Sequence, residues 1–347
     1  MQAEILIRGA GPVGCALALL LRAQGMNVAL EAAPRRRQDF LRPLALSHAS
    51  RLILERVGAW QAGTSIRHVH VSRQGAFGRT QLSAQDAGVE SLGTVIDYDE
   101  LLDALLERVS AERIGTAAGD AKLVVHAEGA SPDASEKTYA QEALVALVTP
   151  QRAPEGTAYE RFTPEGPLAL LPLAGRYAVI WGMPPERAQA LVSAPEADFL
   201  AALSAAFGRR AGRFIAVERR SRAPLSLHQR PSRIGARAAY IGNAAQTLHP
   251  VAGQGLNLGL RDAWDLAQVL REAGDPGDAR VLQQFAALRR VDAFATVRIT
   301  DFLAGGFTGA NPVAGLMRGI ALTALDTCLP ARRFFARRMI FGASALP

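Results

Sequence analysis

The fold is decided near the start of the chain by the stretch Ile5-Leu-Ile-Arg-Gly-Ala-Gly-Pro-Val-Gly14. A short apolar run precedes the glycines, and a helix-like apolar segment, Cys15 to Gln24, follows them and ends before Gly25. Asn27-Val-Ala-Leu-Glu31 then has the composition of a second strand. Parallel strands need a crossover helix between them. The stretch therefore predicts a βαβ unit within an α/β fold.

Gly9, Gly11 and Gly14 have the spacing of a dinucleotide-binding turn. These glycines allow a tight turn, close approach to a pyrophosphate and close packing of helix on strand, and the helix N-terminus offers N–H groups to phosphate. Glu31 lies 22 positions after Gly9, where a carboxylate accepts both hydrogen bonds of a ribose diol. The pattern predicts adenine-dinucleotide binding rather than a mere tight turn, and it fits FAD and NAD equally.

A second glycine-rich loop lies far downstream, between Ile241 and Asp262. It again leads from a strand-like run into a helix, and Gly253, Gly255 and Gly259 permit the close approach of a flat group. A helix N-terminus favours negative charge, which a reduced flavin ring carries on its pyrimidine side. A nicotinamide dehydrogenase has no need of this loop, so the two motifs together favour FAD.

The second loop also carries a family resemblance. His249-Pro-Val-Ala-Gly-Gln-Gly-Leu-Asn-Leu-Gly-Leu-Arg-Asp262 resembles the signature of the ubiquinone-biosynthesis flavin hydroxylases, which are group A aromatic monooxygenases of the p-hydroxybenzoate hydroxylase fold. Further segments similar to this family are Arg42-Pro-Leu-Ala-Leu-Ser47, His70-Val-Ser72, Ala158-Tyr-Glu-Arg-Phe-Thr163 and Gly166-Pro-Leu-Ala-Leu-Leu-Pro172. Residues 242–249, with the block 159–162, most resemble the 2-polyprenyl-6-methoxyphenol hydroxylase branch.

The resemblance implies a Rossmann-like FAD-binding domain that is interleaved with a mixed β-sheet substrate domain and followed by a helical C-terminal part. We expect the FAD-binding domain at residues 1–65, 94–135 and 232–278. The substrate domain is expected at 66–93 and 136–231, and the helical region at 279–347.

The same resemblance implies which residues hold FAD. The pyrophosphate and the adenosine ribose are assigned to Gly9, Gly11, Gly14 and Glu31. Arg42 is expected along the cofactor, and Asn243 stands where most hydroxylases of this fold have an aspartate near the pyrophosphate and ribityl chain. The residues expected at the edge of the isoalloxazine ring are Gly253, Gln254, Gly255, Leu256 and Asn257.

The chemistry implied by the resemblance is hydroxylation of a polyprenylated phenol, a ubiquinone precursor. In this family NAD(P)H is the transient electron donor, and the reduced flavin takes up dioxygen to form a C(4a)-hydroperoxide that transfers oxygen to the phenol. The cofactor performs the difficult step, while the protein orients the substrate, excludes water and stabilises charge. No catalytic acid–base pair is required, and we assign none from the sequence.

Departures from the family pattern keep two other functions open. The Asp-Gly motif that such hydroxylases use for FAD and NAD(P)H appears as Glu128-Gly129, without the usual serine and arginine, and the segment 106–125 is shortened. Because these changes concern flavin reduction, one alternative is a flavin-binding scaffold subunit of a quinone-biosynthesis complex. The other is a hydroxylase of a soluble aromatic compound, which would have no apolar tunnel for a prenyl chain.

Five residues are candidates for the substrate pocket. Tyr159, Arg161 and Phe162 are expected to line it, with an ordinary strand of the middle sheet as the alternative. His249 and Pro250 lie in the flavin loop, and for His249 a structural hydrogen bond and an active-site role are equally compatible with the sequence.

A metal site is not expected. His68 and His70 share one face of a predicted strand, but no third ligand lies nearby in the sequence, which favours packed histidines over metal ligands.

The composition excludes several classes of protein. The hydrophobic fraction of 49% excludes a disordered chain, and two cysteines are too few for a disulfide framework, which indicates a reducing compartment. The net charge is +7, but 37 of the 39 basic residues are arginines, a compositional bias that gives little support to a polyanionic partner. We expect no nucleic-acid partner.

The sequence also predicts a cytoplasmic location. The N-terminus has no basic signal region, and no apolar run approaches the roughly 20 residues of a transmembrane helix. The stretch 332–341 combines four arginines with five large apolar residues and no acid. It fits either a packed terminal helix or a basic amphipathic surface on the inner face of the cytoplasmic membrane.

Overall fold

A computed structural model describes residues 3–32, 40–116, 120–129, 135–247, 254–290 and 312–342. The strands are β1 (Ile5–Arg8), β2 (Val28–Glu31), β3 (Pro43–Ser47), β4 (Thr64–Ile66), β5 (His68–Arg73), β6 (Arg79–Ser83), β7 (Gly93–Asp97), β8 (Leu123–His126), β9 (Ser135–Pro150), β10 (Thr157–Phe162), β11 (Pro167–Leu173), β12 (Arg176–Met183), β13 (Phe214–Gln229), β14 (Ile234–Gly235), β15 (Ala238–Tyr240) and β16 (Gln246–Thr247). The helices are α1 (Pro12–Ala23), α2 (His48–Arg56), α3 (Ala84–Ala87), α4 (Tyr98–Ala111), α5 (Pro185–Ser193), α6 (Glu196–Phe207), α7 (Gln254–Leu270), α8 (residues 279–290), α9 (Pro312–Thr327) and α10 (Leu329–Phe341).

The predicted βαβ unit forms the centre of a sheet with the order β14-β15-β8-β1-β2. β1 pairs in parallel with β2 and β8, and β15 pairs in parallel with β8. α1 begins at Pro12, earlier than the sequence predicted, because a proline in the first turn has no N–H that would need a partner. Buried side chains of α1, α4 and α7 share one apolar core with this sheet.

A second sheet has the strand order β16-β13-β9-β12-β11-β10-β5-β6. Its neighbouring strands are antiparallel except β10 and β5, which pair in parallel. α5 and α6 cover one face with an apolar core. The opposite face packs near the small antiparallel sheet β3-β7-β4 and the helix α10. This second face is the one that borders the candidate site.

The strands divide largely along the predicted domain boundaries. The strands of the sheet around β1 fall within residues 1–65, 94–135 and 232–278, whereas β5, β6 and most of β9 through β13 fall within 66–93 and 136–231. β16 is an exception, since it lies in the predicted FAD-binding segment but pairs with β13 of the other sheet. The division into domains stays a prediction, while the mixed α/β fold class is confirmed.

Candidate active site

The first glycine segment makes a tight turn from β1 into α1. Gly9 has a φ of 103°, and a Cβ atom there would lie 2.6 Å from the backbone that follows β8. A Cβ atom at Gly14 would collide with the carbonyl oxygen of Gly9. The packing of the protein itself therefore requires both glycines. Gly11 is different, because the nearest atom to a Cβ there is the Tyr98 hydroxyl oxygen at 3.9 Å.

The second glycine segment packs on the first through Val13 of α1. Gly242 begins a 3-10 turn with a φ of 58°, and a Cβ atom on it would lie 3.2 Å from Val13. A Cβ atom at Gly259, one turn into α7, would lie 2.6 Å from the same side chain. The two stretches from which the sequence predicted a cofactor site are therefore in direct contact.

Asn257 fixes the start of α7 to β3 and α2. Its side-chain oxygen accepts hydrogen bonds from the Ser47 backbone N–H at 2.8 Å and the Ser50 hydroxyl at 2.7 Å. Its amide nitrogen donates to the Ala45 carbonyl at 2.9 Å. Because Asn257 is buried, these bonds hold the adjoining backbone at a defined place in the cavity wall.

Polar side chains border the cavity near the first glycine segment. Glu31, at the end of β2, forms a partly exposed ion pair with Arg8 at 3.2 Å. The Arg42 guanidinium lies over the Tyr98 ring, 3.6 Å from its centroid, and Asn243 also borders the cavity. A cation–π contact of this kind contributes on the order of 1 kcal/mol and restrains the arginine side chain.

Glu128 and Gly129 follow β8 at the cavity edge. The Glu128 carboxylate accepts a hydrogen bond from the Ala127 backbone N–H at 3.0 Å and lies 2.8 Å from Nδ1 of His126. Gly129 has a φ of 114°, which a residue with a side chain rarely adopts. The Glu-Gly pair therefore forms an ordered turn beside the first glycine segment.

The glycine segments open onto a cavity of about 1200 Å³. One part is bordered by the glycine turns, and another lies between the eight-stranded sheet and the C-terminal helices. The sheet wall is mostly apolar and includes Val69, Val145, Leu171 and Ile180. The helical wall includes Leu322, Leu325, Phe335, Met339 and Ile340.

The block 159–162 forms most of strand β10, and its side chains are divided between the two faces of the sheet. Tyr159 borders the cavity, but its ring packs against His70 and Phe207, in the core under α6. Arg161 projects to the same side, where it donates hydrogen bonds to the Ala206 carbonyl and the Ser72 hydroxyl. Phe162 is buried and does not border the cavity. Because successive side chains of a strand alternate between faces, Tyr159 and Arg161 share one face of the sheet, whereas Glu160 and Phe162 share the other.

Other predicted residues have no described side-chain position. His249, Pro250 and Gly253 lie outside the described residues, and Gln254 is described only as the first residue of α7. Gly255 and Leu256 border the cavity beside Asn257.

Glu160 borders the cavity and was missed by the sequence analysis. It is buried, and burial raises the pKa of its carboxyl group to about 7. An acidic residue in the middle of an otherwise apolar strand face was the available signal, because buried carboxylates are rare unless they have a function.

One of the two histidines of β5, His70, lies in the protein interior. His70 is buried under Tyr159, and burial, followed by the charges of Arg210 and Arg79, lowers its pKa to about 4. Among the described residues, no group of three histidine, cysteine or acidic side chains is placed to bind a metal ion.

The residues present fit a dinucleotide. Gly11 and Gly255 border the cavity, yet a Cβ atom on either would meet no described protein atom closer than 3.9 Å. Packing against the described residues does not explain these two glycines, whereas a pyrophosphate at the start of α1 and a flat ring at the start of α7 would. Together with Glu31 at the end of β2, these residues could hold FAD, and the class of protein is that of FAD-dependent enzymes with an α/β fold of two large sheets and one small sheet.

Comparison with known proteins agrees with this class. A family model described as FAD binding domain matches residues 107–300, more than half of the chain. A solved structure of p-nitrophenol 4-monooxygenase PnpA from Pseudomonas putida DLL-E4 superimposes with a TM-score of 0.77, covering 99% of both chains at 16% identity.

Two curated relatives match over most of their lengths. Ubiquinone hydroxylase UbiL of Rhodospirillum rubrum is 30% identical, covering 96% of this chain and 89% of the relative. The 3-demethoxyubiquinol 3-hydroxylase of Escherichia coli K12 is 28% identical, covering 93% and 94%. The chain belongs to the FAD-binding-domain family of flavin-dependent monooxygenases, whose typical electron donor is NAD(P)H.

Proposed function

We propose that the protein hydroxylates a polyprenylated phenol in ubiquinone synthesis, with FAD, dioxygen and NAD(P)H. The observation that carries this proposal is the apolar extension of the cavity between the eight-stranded sheet and the helices α9 and α10. A small soluble aromatic compound would leave most of this extension unfilled, whereas a prenyl chain buries its apolar surface there. The ubiquinone-related names of two curated relatives support the same substrate class.

The residues of the chain would bind and orient both molecules. Gly9, Gly11 and the start of α1 would hold the pyrophosphate, Glu31 the ribose, and the backbone at Gly255 to Asn257 the flavin ring. When bound, FAD supplies the oxygen-transfer chemistry. The apolar walls exclude water from the reacting ring, which protects the reactive cofactor from wasteful side reactions.

Turnover with defined phenols tests this function. The FAD-loaded protein is given NADH or NADPH, dioxygen and 2-farnesylphenol, and oxygen consumption and product mass are recorded. We expect substrate-dependent oxidation of the nicotinamide and a product heavier by one oxygen atom, with phenol itself a much poorer substrate. Equal turnover of phenol would favour a hydroxylase of soluble aromatics. Flavin binding without turnover of any prenylphenol would favour the scaffold subunit of a quinone-biosynthesis complex.

We also infer a peripheral contact with an anionic membrane surface, the expected location of a polyprenyl substrate. Among the described residues, no helix is both long enough and apolar enough to cross a bilayer. Large exposed apolar side chains lie on and near α9 and α10, namely Phe77, Ile320, Leu329 and Phe334. Arg333 and Arg337 are exposed on the same helix as Phe334. Apolar side chains beside arginines favour binding to anionic lipid.

The predicted basic stretch 332–341 is only partly available for this contact. Arg332 forms an ion pair with Asp86 at 3.0 Å and donates a hydrogen bond to the Asp326 carbonyl at 2.7 Å. Ala336 and Ile340 are buried against the body of the protein. The surface proposed for lipid is therefore the outer side of α10, which carries Phe334, Arg333 and Arg337.

A further inference from the structure

Glu160 lies in a single row of residues across the cavity-facing side of the eight-stranded sheet. In this row Glu160 pairs with Val71 of β5 on one side and Ala169 of β11 on the other. Val71 pairs in turn with Thr80, and Ala169 with Ile180. All five residues border the cavity, and Glu160 has apolar side chains on both sides.

Two polar atoms in this row have no hydrogen-bond partner within the described part of the chain. Oε1 of Glu160 is buried and unpaired, and Glu160 is 8% exposed overall. Oγ1 of Thr80 is also buried and unpaired, and Thr80 is 1% exposed. Buried polar groups in native proteins normally have hydrogen-bond partners. Two unpaired polar atoms in the same wall of a cavity therefore indicate a ligand whose own polar group can hydrogen-bond them.

Among the described residues, no neighbouring positive charge compensates the carboxyl group of Glu160. The nearest arginine along the strand, Arg161, projects to the opposite face and is hydrogen-bonded there to the Ala206 carbonyl and Ser72. The side chains that face Glu160 from β5 and β11 are Val71 and Ala169. The carboxyl group therefore has no described counter-ion, and a desolvated carboxyl group without a partner is unfavourable to folding. A desolvated carboxyl group without a counter-ion is expected at a site where that group binds a ligand.

We propose that Glu160, assisted by Thr80, hydrogen-bonds the ring hydroxyl of the phenolic substrate. This inference rests on the proposed function and adds the residues that recognise the phenol hydroxyl group of the substrate. Because the other three residues of the row are apolar, Glu160 and Thr80 are the polar side chains that this row offers to the hydroxyl group. A carboxylate that accepts the phenol O–H also raises the electron density of the ring, which suits an electrophilic oxygen transfer.

Ligand binding to the FAD-loaded protein tests the proposal without turnover. The probes are 2-farnesylphenol and its methyl ether, 2-farnesylanisole, which has the same chain and ring but no hydroxyl hydrogen. Isothermal titration gives the dissociation constant of each probe. For the unmodified protein we expect a preference for the phenol of about tenfold or more, since a charge-assisted hydrogen bond to a desolvated carboxylate is lost in the ether.

Three variants separate recognition from folding. Glu160→Ala should reduce the phenol preference to about one, and Glu160→Gln, which keeps the shape and an acceptor, should reduce it partially. Thr80→Val, which keeps the volume, should also lower the preference. Glu155→Gln removes an exposed carboxylate in the loop before β10 and is the matched control, which should keep the full preference.

The outcomes distinguish the two proposals. A preference that is unchanged in Glu160→Ala and Thr80→Val would overturn the role of Glu160 and leave the proposed function standing. Equal binding of both probes by the unmodified protein would also overturn the role of Glu160 and leave the proposed function standing. Binding of neither probe would overturn the prenylphenol function and the role of Glu160 together.

Discussion

At the scale of single residues, the glycines of the site divide into two kinds. Gly9 and Gly14 lack side chains because the neighbouring protein backbone occupies that space. Gly11 and Gly255 border the cavity, and a methyl group on either would meet no described protein atom closer than 3.9 Å. A glycine pattern in a sequence does not distinguish these causes, but the structure does.

This difference gives a prediction for alanine substitutions. Gly255→Ala should leave the free energy of unfolding of the FAD-free protein within about 1 kcal/mol of the unmodified value, because alanine is favourable in a helix. Its affinity for FAD should fall by about tenfold, equivalent to about 1.4 kcal/mol, since the new methyl group occupies the space proposed for the ring. Flavin fluorescence titration and urea unfolding measure the two effects.

Two glycine variants serve as controls for that experiment. Gly274→Ala adds a methyl group in open space that does not border the cavity, and it should change neither quantity. Gly14→Ala should destabilise the FAD-free protein itself, because its methyl group meets the Gly9 carbonyl. If Gly255→Ala binds FAD normally, the flavin ring does not lie against the start of α7.

Glu160 makes stability depend on pH. Its folded pKa of about 7 lies above the value of about 4.3 for an unfolded glutamate. Between these values the unfolded state releases a proton that the folded state retains, so the free energy of unfolding falls as pH rises through this window, by a total on the order of 3 kcal/mol. Glu160→Gln lacks this loss and should gain stability relative to the unmodified protein as pH rises.

Urea unfolding near pH 4.5 and pH 7.5 measures this effect, because most of the window between the unfolded and folded pKa values lies between them. Glu155→Gln, with its exposed carboxylate, should show no comparable gain. A difference between Glu160→Gln and the unmodified protein that is the same at both pH values would contradict the burial of a titrating Glu160.

At the scale of elements, α7 connects the second glycine segment to the rest of the site. Asp262 of α7 is fully buried and accepts hydrogen bonds from the Gly242 backbone N–H at 2.9 Å and from Arg289 of α8 at 2.6 Å. Arg289, also fully buried, bonds Asp265 at 2.7 Å as well. The glycine turn, α7 and α8 are thus joined through one cluster of buried charges.

Removal of the arginine should disrupt this cluster. Arg289→Ala leaves two carboxylates in the interior without that partner, and it should lower the free energy of unfolding by about 3 to 5 kcal/mol. Arg290→Ala, at the exposed neighbouring position, is the matched control and should stay within about 0.5 kcal/mol of the unmodified protein. Thermal and urea unfolding compare the two variants. If Arg289→Ala changed the free energy of unfolding as little as Arg290→Ala, a stabilising role of the cluster would be ruled out.

At the scale of the whole molecule, the cavity lies where the two large sheets, the small sheet and the C-terminal helices meet. α10 has one side against the body and an outer side with Phe334, which is 73% exposed. A prenyl chain of the proposed substrate would enter such a cavity most readily from a lipid surface in contact with those helices. The proposed substrate access and the proposed membrane contact therefore concern the same region.

Charge reversal tests the proposed membrane contact. The double variant Arg333→Glu, Arg337→Glu should lose binding to phosphatidylcholine vesicles that contain phosphatidylglycerol, by about 1 kcal/mol or more for each arginine. Arg152→Glu, Arg209→Glu reverses two exposed arginines elsewhere and should bind as the unmodified protein does. Vesicle sedimentation measures the bound fraction. Unchanged binding of the first variant would exclude the outer side of α10 as the lipid-binding surface.

The sequence by itself determined the fold class and the family. The spacing of Gly9, Gly11 and Gly14 after a strand-like run, and the glycine-rich stretch before the helix at 254–270, made the two glycine segments recognisable from the pattern alone. For the block 159–162 the sequence also offered a strand of the middle sheet, and this block forms most of β10. These features depend on neighbours along the chain or on a backbone geometry that only glycine adopts.

The tertiary structure alone decided which face meets the cavity and which charges are free. Both Tyr159 and Glu160 border the cavity, but a shift of one residue along β10 separates the Tyr159 ring, which packs in the core under α6, from the side chain of Glu160 on the other face, and no local signal fixes that choice. Arg332 is paired with Asp86, a residue distant in sequence, while Arg333 remains exposed. Burial and ion pairing arise from elements packed against one another, so they follow from the complete fold rather than from any segment of it.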